Sequence, residues 1–218
     1  MVLRRVHYEQ AFEHYLRLTR TPYLAVDEAR RTLLPTGHAN SAALDPDETA
    51  EACHVKSFDF VVYHASGRRL IVDIKGRRWR PSSRTVRCRT ASSRIGDRPA
   101  QRLRGLENWV TQDDVDGLRQ WQRLFGPGYE AVLVFAYACQ EQPADGVFEE
   151  VFSFRDQWYG LLEISIDAYA RAMQPRSGRW STWTVPRAEF AAISRPFSAA
   201  TCSQMIGARA AGHKPCRA

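Results

Sequence analysis

The sequence predicts an α/β domain: a mixed β-sheet flanked by helices. Segments with the 3.6-residue apolar period of helices alternate along the chain with short runs rich in Val, Ile and Phe. Two of those runs, 57–63 (SFDFVVY) and 70–75 (LIVDIK), flank a short turn-forming stretch, the pattern of an antiparallel hairpin. A third run, 131–137 (AVLVFAY), is apolar almost throughout, as a strand covered on both faces must be. With 218 residues, 44% of them hydrophobic, the chain is long enough to bury one such core.

Taken in order, residues 6–18 carry Tyr8, Phe12, Tyr15 and Leu16 at the spacing of one helical face. Glu9 and Glu13, four apart, stack on one flank of that stripe. Thr21-Pro22 ends the helix, because the residue before a proline is pushed out of the helical region. Residues 23–26 read as a short strand, and 36–51, with Gly, Asn, Pro and four acids, as a loop. The hairpin follows, its turn at 64–69 (HASGRR). Next comes an arginine-rich stretch, 76–104, with little periodicity, read as a long loop or lid. Residues 107–110 suggest a short strand. Thr111 is a candidate N-cap, with Asp113, Asp114 and Asp116 in the first turns, where the helix dipole favours acids. Val115, Leu118, Trp121, Leu124 and Phe125 give that helix its apolar face, and Gly126-Pro127-Gly128 stops it. Beyond 139 the signals thin. One or two strands are expected within 151–165, a helix over 166–173, an edge strand over 180–185 and a short helix from Pro186 to Ile193. Trp158, Trp180 and Trp183 read as packing residues. The whole is expected to form one domain, 1–197, followed by a disordered tail, 198–218.

Net charge is +7 and unevenly spread. Residues 76–104 hold ten arginines and one acid, Asp97, a net of nine positive charges, so the remainder is two negative. Such a segment attracts polyanions, nucleic acid first among them, although charge alone also fits a solvated loop. No uncharged apolar stretch reaches the roughly 18 residues of a membrane span. The basic N-terminus has no apolar run behind it, so neither a membrane partner nor secretion is expected. Five cysteines form no CxxC pair, which argues against a zinc ribbon or a disulfide framework and for reduced thiols in a cytoplasmic protein.

The hairpin carries the chemistry. Alternation puts Asp59 with Ser57 and Val61 on one face, and Asp73 with Lys75 on one face, opposite the apolar Leu70, Val72 and Ile74. If the turn centres near Ser66, Asp59 stands opposite Asp73. Opposed Cβ atoms are ~5 Å apart, and like charges so placed destabilise a sheet and raise a pKa. A divalent cation between them turns repulsion into attraction, and Mg²⁺ is commonly held by one or two carboxylates. Lys75 would then orient a nucleophile or stabilise charge developing on a phosphate. The plainer alternative is a half-exposed acidic pair with Lys75 as its counter-ion.

Asp59 and Asp73-Ile74-Lys75, with Glu13 on the first helix, resemble the core motif of the PD-(D/E)XK nuclease superfamily. The arrangement is similar to that of archaeal Holliday-junction resolvases and related restriction-type endonucleases. There, a helix with a glutamate precedes a strand, then a strand with Asp, then a strand with (D/E)-x-K. Asp73 stands where glutamate is more frequent. Residues 109–111, the helix 113–125, Gly126 and the strand 131–137 resemble the second helix and fourth strand of the resolvases. The likeness covers residues 7–138 and leaves 139–197 as an extension. His7-Tyr8-Glu9-Gln10-Ala11-Phe12-Glu13 also fits the pattern that names the bacterial HYExAFE proteins.

The resemblance implies a restriction-endonuclease-like core. It implies Mg²⁺ or Mn²⁺ held by Asp59, Asp73 and the backbone carbonyl of Ile74, with Lys75 positioning the attacking water. The helix carboxylate, Glu13 in preference to Glu9 one turn earlier, would bind a second metal or its water. The reaction would be phosphodiester hydrolysis, with DNA expected ahead of RNA, in a nucleoid-associated protein. A branched substrate would call for a homodimer presenting two sites. Arg77, Arg78, Arg80, Arg84, Arg87 and Arg89 would hold the phosphate backbone without reading sequence. Secondary candidates are His7 near Glu13, Gln112 at the start of the second helix, and Trp79, which among arginines would stack on a base or anchor the loop. The alternative is a catalytically inactive nucleic-acid-binding module that keeps the fold. A third option is that the arginines recruit ribosomal RNA or an acidic protein.

Overall fold

The computed structural model describes residues 3–26, 56–79, 105–143 and 148–198. The expected loop 36–51, the arginines at 80, 84, 87 and 89, and the tail beyond Ser198 lie outside the described residues. The elements are α1 (Leu3–Leu18), β1 (Tyr23–Ala25), β2 (Phe60–Tyr63), β3 (Arg69–Trp79), β4 (Val110–Thr111), α2 (Gln112–Phe125), β5 (Glu130–Cys139), β6 (Val151–Phe154), β7 (Gln157–Ser165), α3 (Ile166–Ala172), β8 (Gln174–Ser177), β9 (Thr182–Thr184), α4 (Arg187–Ile193) and β10 (Arg195–Pro196).

The main sheet runs β1-β2-β3-β5-β7-β10, with β6 also on β7. Among the described residues only β3 and β5 are parallel; every other pair in it is antiparallel. A parallel pair needs a crossover, and α2 lies within it. The fold is thus α/β with a mixed, mostly antiparallel sheet. Both of its faces are buried. On one, Phe12, Tyr15 and Leu16 of α1 pack on Phe60, Val62, Leu70, Val72 and Val134. On the other, Val115 and Leu118 of α2, with Tyr169 and Phe190, pack on Val61, Ile71, Leu133 and Phe135. No described helix is long and apolar enough to cross a membrane.

The hairpin register is the expected one, with Phe60 opposite Val72 and Tyr63 opposite Arg69. Two expectations are corrected. First, 76–79 belongs to β3 rather than to a basic loop. β5 is ten residues long, and its backbone pairs β3 from Leu70–Glu130 through Trp79–Cys139. Trp79 therefore ends in the core, 4% exposed, with its ring edge-on to Phe148, and offers no face to a base. Second, β9 is not an edge strand; it lies between β4 and β8 in a separate three-stranded sheet. In addition, β6, β7 and β10, from the part of the chain beyond the resemblance, build one side of the main sheet. The two-residue β10 had no strand signal. Arg195 holds it in place through Glu163 (2.5 Å) and Glu130 (3.1 Å), beside Arg68 on the same two acids.

Gly76 shows how closely α1 lies on β3. A Cβ there would sit 2.1 Å from the Tyr8 ring. Gly76→Ala should lower stability by about 1–3 kcal/mol, read from denaturant melts. Adding Tyr8→Ala to the same chain should leave the alanine with a much smaller effect of its own.

Candidate functional site

The site forms where the β2–β3 ladder ends and β3 continues. Asp59 lies in a bend before Phe60, so it is not the strand residue its spacing suggested. Its carbonyl accepts from Val26 N–H and its own N–H donates to the Val72 carbonyl. Its carboxylate Oδ2 accepts from the Ile74 N–H at 2.6 Å. A side chain thus satisfies the first β3 amide beyond the end of the β2 ladder. In an extended strand the N–H and C=O of one residue leave from the same edge. The Ile74 carbonyl therefore also points to the edge that Asp59 occupies.

Asp73 and Lys75 project from the β3 face that α2 covers, in register with Leu133 and Phe135. Both are buried, at 3% and 7% exposure, whereas Asp59 is only partly buried, so of the plainer alternative the half-exposure fails for Asp73 and the role of Lys75 as its counter-ion is kept. Lys75 Nζ lies 2.6 Å from Asp73 Oδ2 and 3.0 Å from Asp114 Oδ1. Burial works against its charge, but Asp73 and Asp114 overcome it and raise its pKa. Asp73 Oδ1 is buried with no hydrogen-bond partner among the described residues. Asp59 is pushed well above the usual carboxylate range by burial first and by the Asp73 charge second; the Ile74 amide opposes this, and Glu9 adds to it.

Asp114 is the residue sequence reasoning missed. Thr111 and Asp114 form a capping box at the start of α2: Asp114 N–H donates to Thr111 Oγ1 (3.2 Å) and Asp114 Oδ2 accepts from Thr111 N–H (2.8 Å). Its other oxygen takes both Lys56 and Lys75. Burial would raise its pKa, but Lys75, Lys56 and Thr111 together depress it far below the ordinary value. The signal was present in T-x-x-D at a helix start, where a reciprocal cap fixes the carboxylate. What that carboxylate faces depends on β3, nearly forty positions earlier in the chain.

The helix glutamates separate. Glu13 is held by Arg17 (2.6 Å) and the Tyr23 hydroxyl (2.8 Å), whereas Glu9 is the helix carboxylate whose charge acts on Asp59. Among the described residues no three His, Cys, Asp or Glu side chains gather into one metal-holding group. His7 packs against Tyr159, whose hydroxyl bonds Nδ1 at 2.6 Å, so it serves the seat of α1. Gln112 turns along its own helix to Asp116 (3.0 Å).

Arg77 folds inward. Its guanidinium donates to the Gly76 carbonyl (2.7 Å) and to the Trp109 carbonyl, and lies 4.0 Å from the Trp109 ring centre. Burial lowers its pKa. It braces β3 against Trp109 and leaves the exposed Arg78 as the described arginine of the run that faces solvent. A cleft of about 380 Å³ opens beside these groups, lined by Tyr8, Lys56, Ile74, Lys75, Trp109 and Asp114 among others. Lys75 and Asp114 thus border open space while Asp73 lies behind them.

Compared with known proteins, the chain matches no family model, no curated protein and no solved structure.

Two outcomes follow from the charges. Lys75→Met leaves Asp73 buried without its cation and Asp114 with Lys56 alone, and should cost about 3–5 kcal/mol in denaturant melts. Asp59 sets a pH dependence, because its folded pKa lies above its unfolded one and the folded state keeps a proton the unfolded chain has lost. Its penalty is absent below about pH 4 and grows as pH rises through the folded pKa. Asp59→Asn removes that slope, so the stability gap in its favour should widen between acid and neutral pH.

Proposed function

We propose that this chain is a metal-dependent nuclease of the PD-(D/E)XK superfamily, with a restriction-endonuclease-like core, that hydrolyses phosphodiester bonds in DNA. The order of elements supports the reading. A helix precedes a strand, then Asp59 opens the next strand, Asp73-Ile74-Lys75 sit on a third, and a helix leads to a parallel fourth.

The observation that carries it is the state of the two aspartates. Asp73 Oδ1 has no partner among the described residues, and Asp59 is driven toward its neutral form by burial and by Asp73. Buried carboxylates in that condition are short of positive charge. A divalent cation that prefers oxygen, Mg²⁺ or Mn²⁺, answers the shortage, and Asp59, Asp73 and the Ile74 carbonyl would hold it. When bound, such an ion supplies Lewis acidity toward a phosphoryl oxygen and acidifies water. Lys75 contributes a fixed ammonium. Its raised pKa keeps it protonated through neutral pH, so it donates hydrogen bonds to an attacking or phosphoryl oxygen and does not act as a base. Asp114, through Lys75, sets where that ammonium sits. Glu9 takes the place of Glu13 as the helix carboxylate of the site.

One observation favours a second reading, a silent nucleic-acid-binding module. Lys75 already bridges two carboxylates, a compact ion network that partly neutralises the corner by itself.

Cleavage separates the two. Purified protein with supercoiled, linear or four-way-junction DNA should cut when Mg²⁺ or Mn²⁺ is supplied and not in EDTA. Asp73→Asn, which keeps the side-chain shape and leaves Lys75 paired with Asp114, should slow cutting by about two orders of magnitude or more while DNA binding in EDTA persists. Intact DNA that is nevertheless bound would select the silent module.

A further inference from the structure

The turn between β8 and β9 carries the most exposed large hydrophobic of the described residues. Trp180, expected from sequence to pack, is 67% exposed at its tip, with the Arg179 guanidinium 5.2 Å from the ring centre. The tip is anchored. The Ser181 carbonyl accepts from Gln112 N–H at 3.0 Å, and Thr182 pairs with Thr111 across β4 and β9. A second cleft, about 550 Å³, lies between this tip and Trp109, lined by Trp109, Thr111, Arg176, Ser177, Trp180 and Thr182. Arg176 sits 5.1 Å from the Trp109 ring centre. Trp109 and Thr111 also line the cleft that reaches Lys75 and Asp114, so the two share a wall.

We infer that this second cleft is a subsite for unpaired nucleobases, which makes the substrate class single-stranded or locally opened DNA. The inference takes only the cutting chemistry from the proposed nuclease; the binding stands on the cleft itself. The exposed Trp180 indole offers a flat π face, Trp109, flanked by the Arg77 and Arg176 guanidiniums, forms a cationic wall, Arg176 and Arg179 offer charge for phosphates, and three hydroxyl side chains offer donors and acceptors to base edges. In a closed duplex the base faces are hidden in the stack, so an indole reaches them only where the strands part. A duplex backbone or an acidic peptide would be matched by the arginines and would leave the Trp180 face unused. The anchored turn holds Trp180 out in water beforehand, so little ordering is required when a base arrives.

The test needs no metal. Fluorescence anisotropy in EDTA compares labelled oligo(dT), an abasic strand of the same length and a duplex. Wild-type protein should bind oligo(dT) roughly tenfold or more tighter than the abasic strand, and oligo(dT) should quench tryptophan fluorescence. Trp180→Ala should lose most of the oligo(dT) advantage and Trp180→Phe should keep it. Equal affinity for oligo(dT) and the abasic strand in the wild type overturns the inference, whatever the variants do. So does an equal loss for oligo(dT) and duplex in a Trp180→Ala protein of unchanged Tm. Cutting without base preference would remove this subsite and leave the nuclease; tight oligo(dT) binding without cutting would do the reverse.

Discussion

One ammonium joins the two layers at the site. Lys75 Nζ leaves β3, lies under α2 and meets Asp73 from its own strand and Asp114 from the helix. Bringing a lysine and two aspartates out of water is costly, and only close mutual contact offsets it. The consequence is geometric. The N-terminus of α2 is held over this part of β3, and the Thr111 capping box holds Asp114 in the orientation that closes the contact. A helix end and a strand are thereby placed relative to one another by charge as well as by the Val115 and Leu118 packing below.

Around that contact, the end of a strand makes room for chemistry. The β2–β3 ladder ends where β2 begins, at Phe60 opposite Val72, and β3 continues with an edge that no described backbone partner covers at Ile74. Asp59 fills the vacancy with a carboxylate and so comes beside Asp73. Two acids that repel one another are kept together by the sheet hydrogen bonds on either side, which the apolar packing of both faces supports. The proposed metal reading makes use of that tension, because the same crowding that raises the Asp59 pKa provides the attraction for a cation.

The cationic character of the chain divides into parts that do different things. Arg77 is spent inside the fold, bracing Trp109, while Arg176 and Arg179 stand with Trp109 and Trp180 around an open cleft. Counting arginines along the chain assigns all of them to a polyanion. Their positions separate a structural cation from those that face solvent. The three-stranded sheet thus becomes a shelf beside the candidate site, built from Thr111, Thr182 and the turn that follows β8.

Much of this was legible in the residues. The apolar periods marked both long helices. The Ser66-centred turn set the hairpin register that Phe60 and Val72 adopt, and the wholly apolar 131–137 run marked the doubly covered β5. These are local signals, carried by neighbours within a turn or a strand. What the tertiary structure decided were relations between distant segments. Trp79 became core because β5 extended β3, and Glu13 was claimed by Arg17 and Tyr23 while the Glu9 charge acts on Asp59. Asp114 acquired Lys75 because α2 crosses that strand. No spacing encodes such contacts, since each depends on which surfaces meet when the whole chain packs.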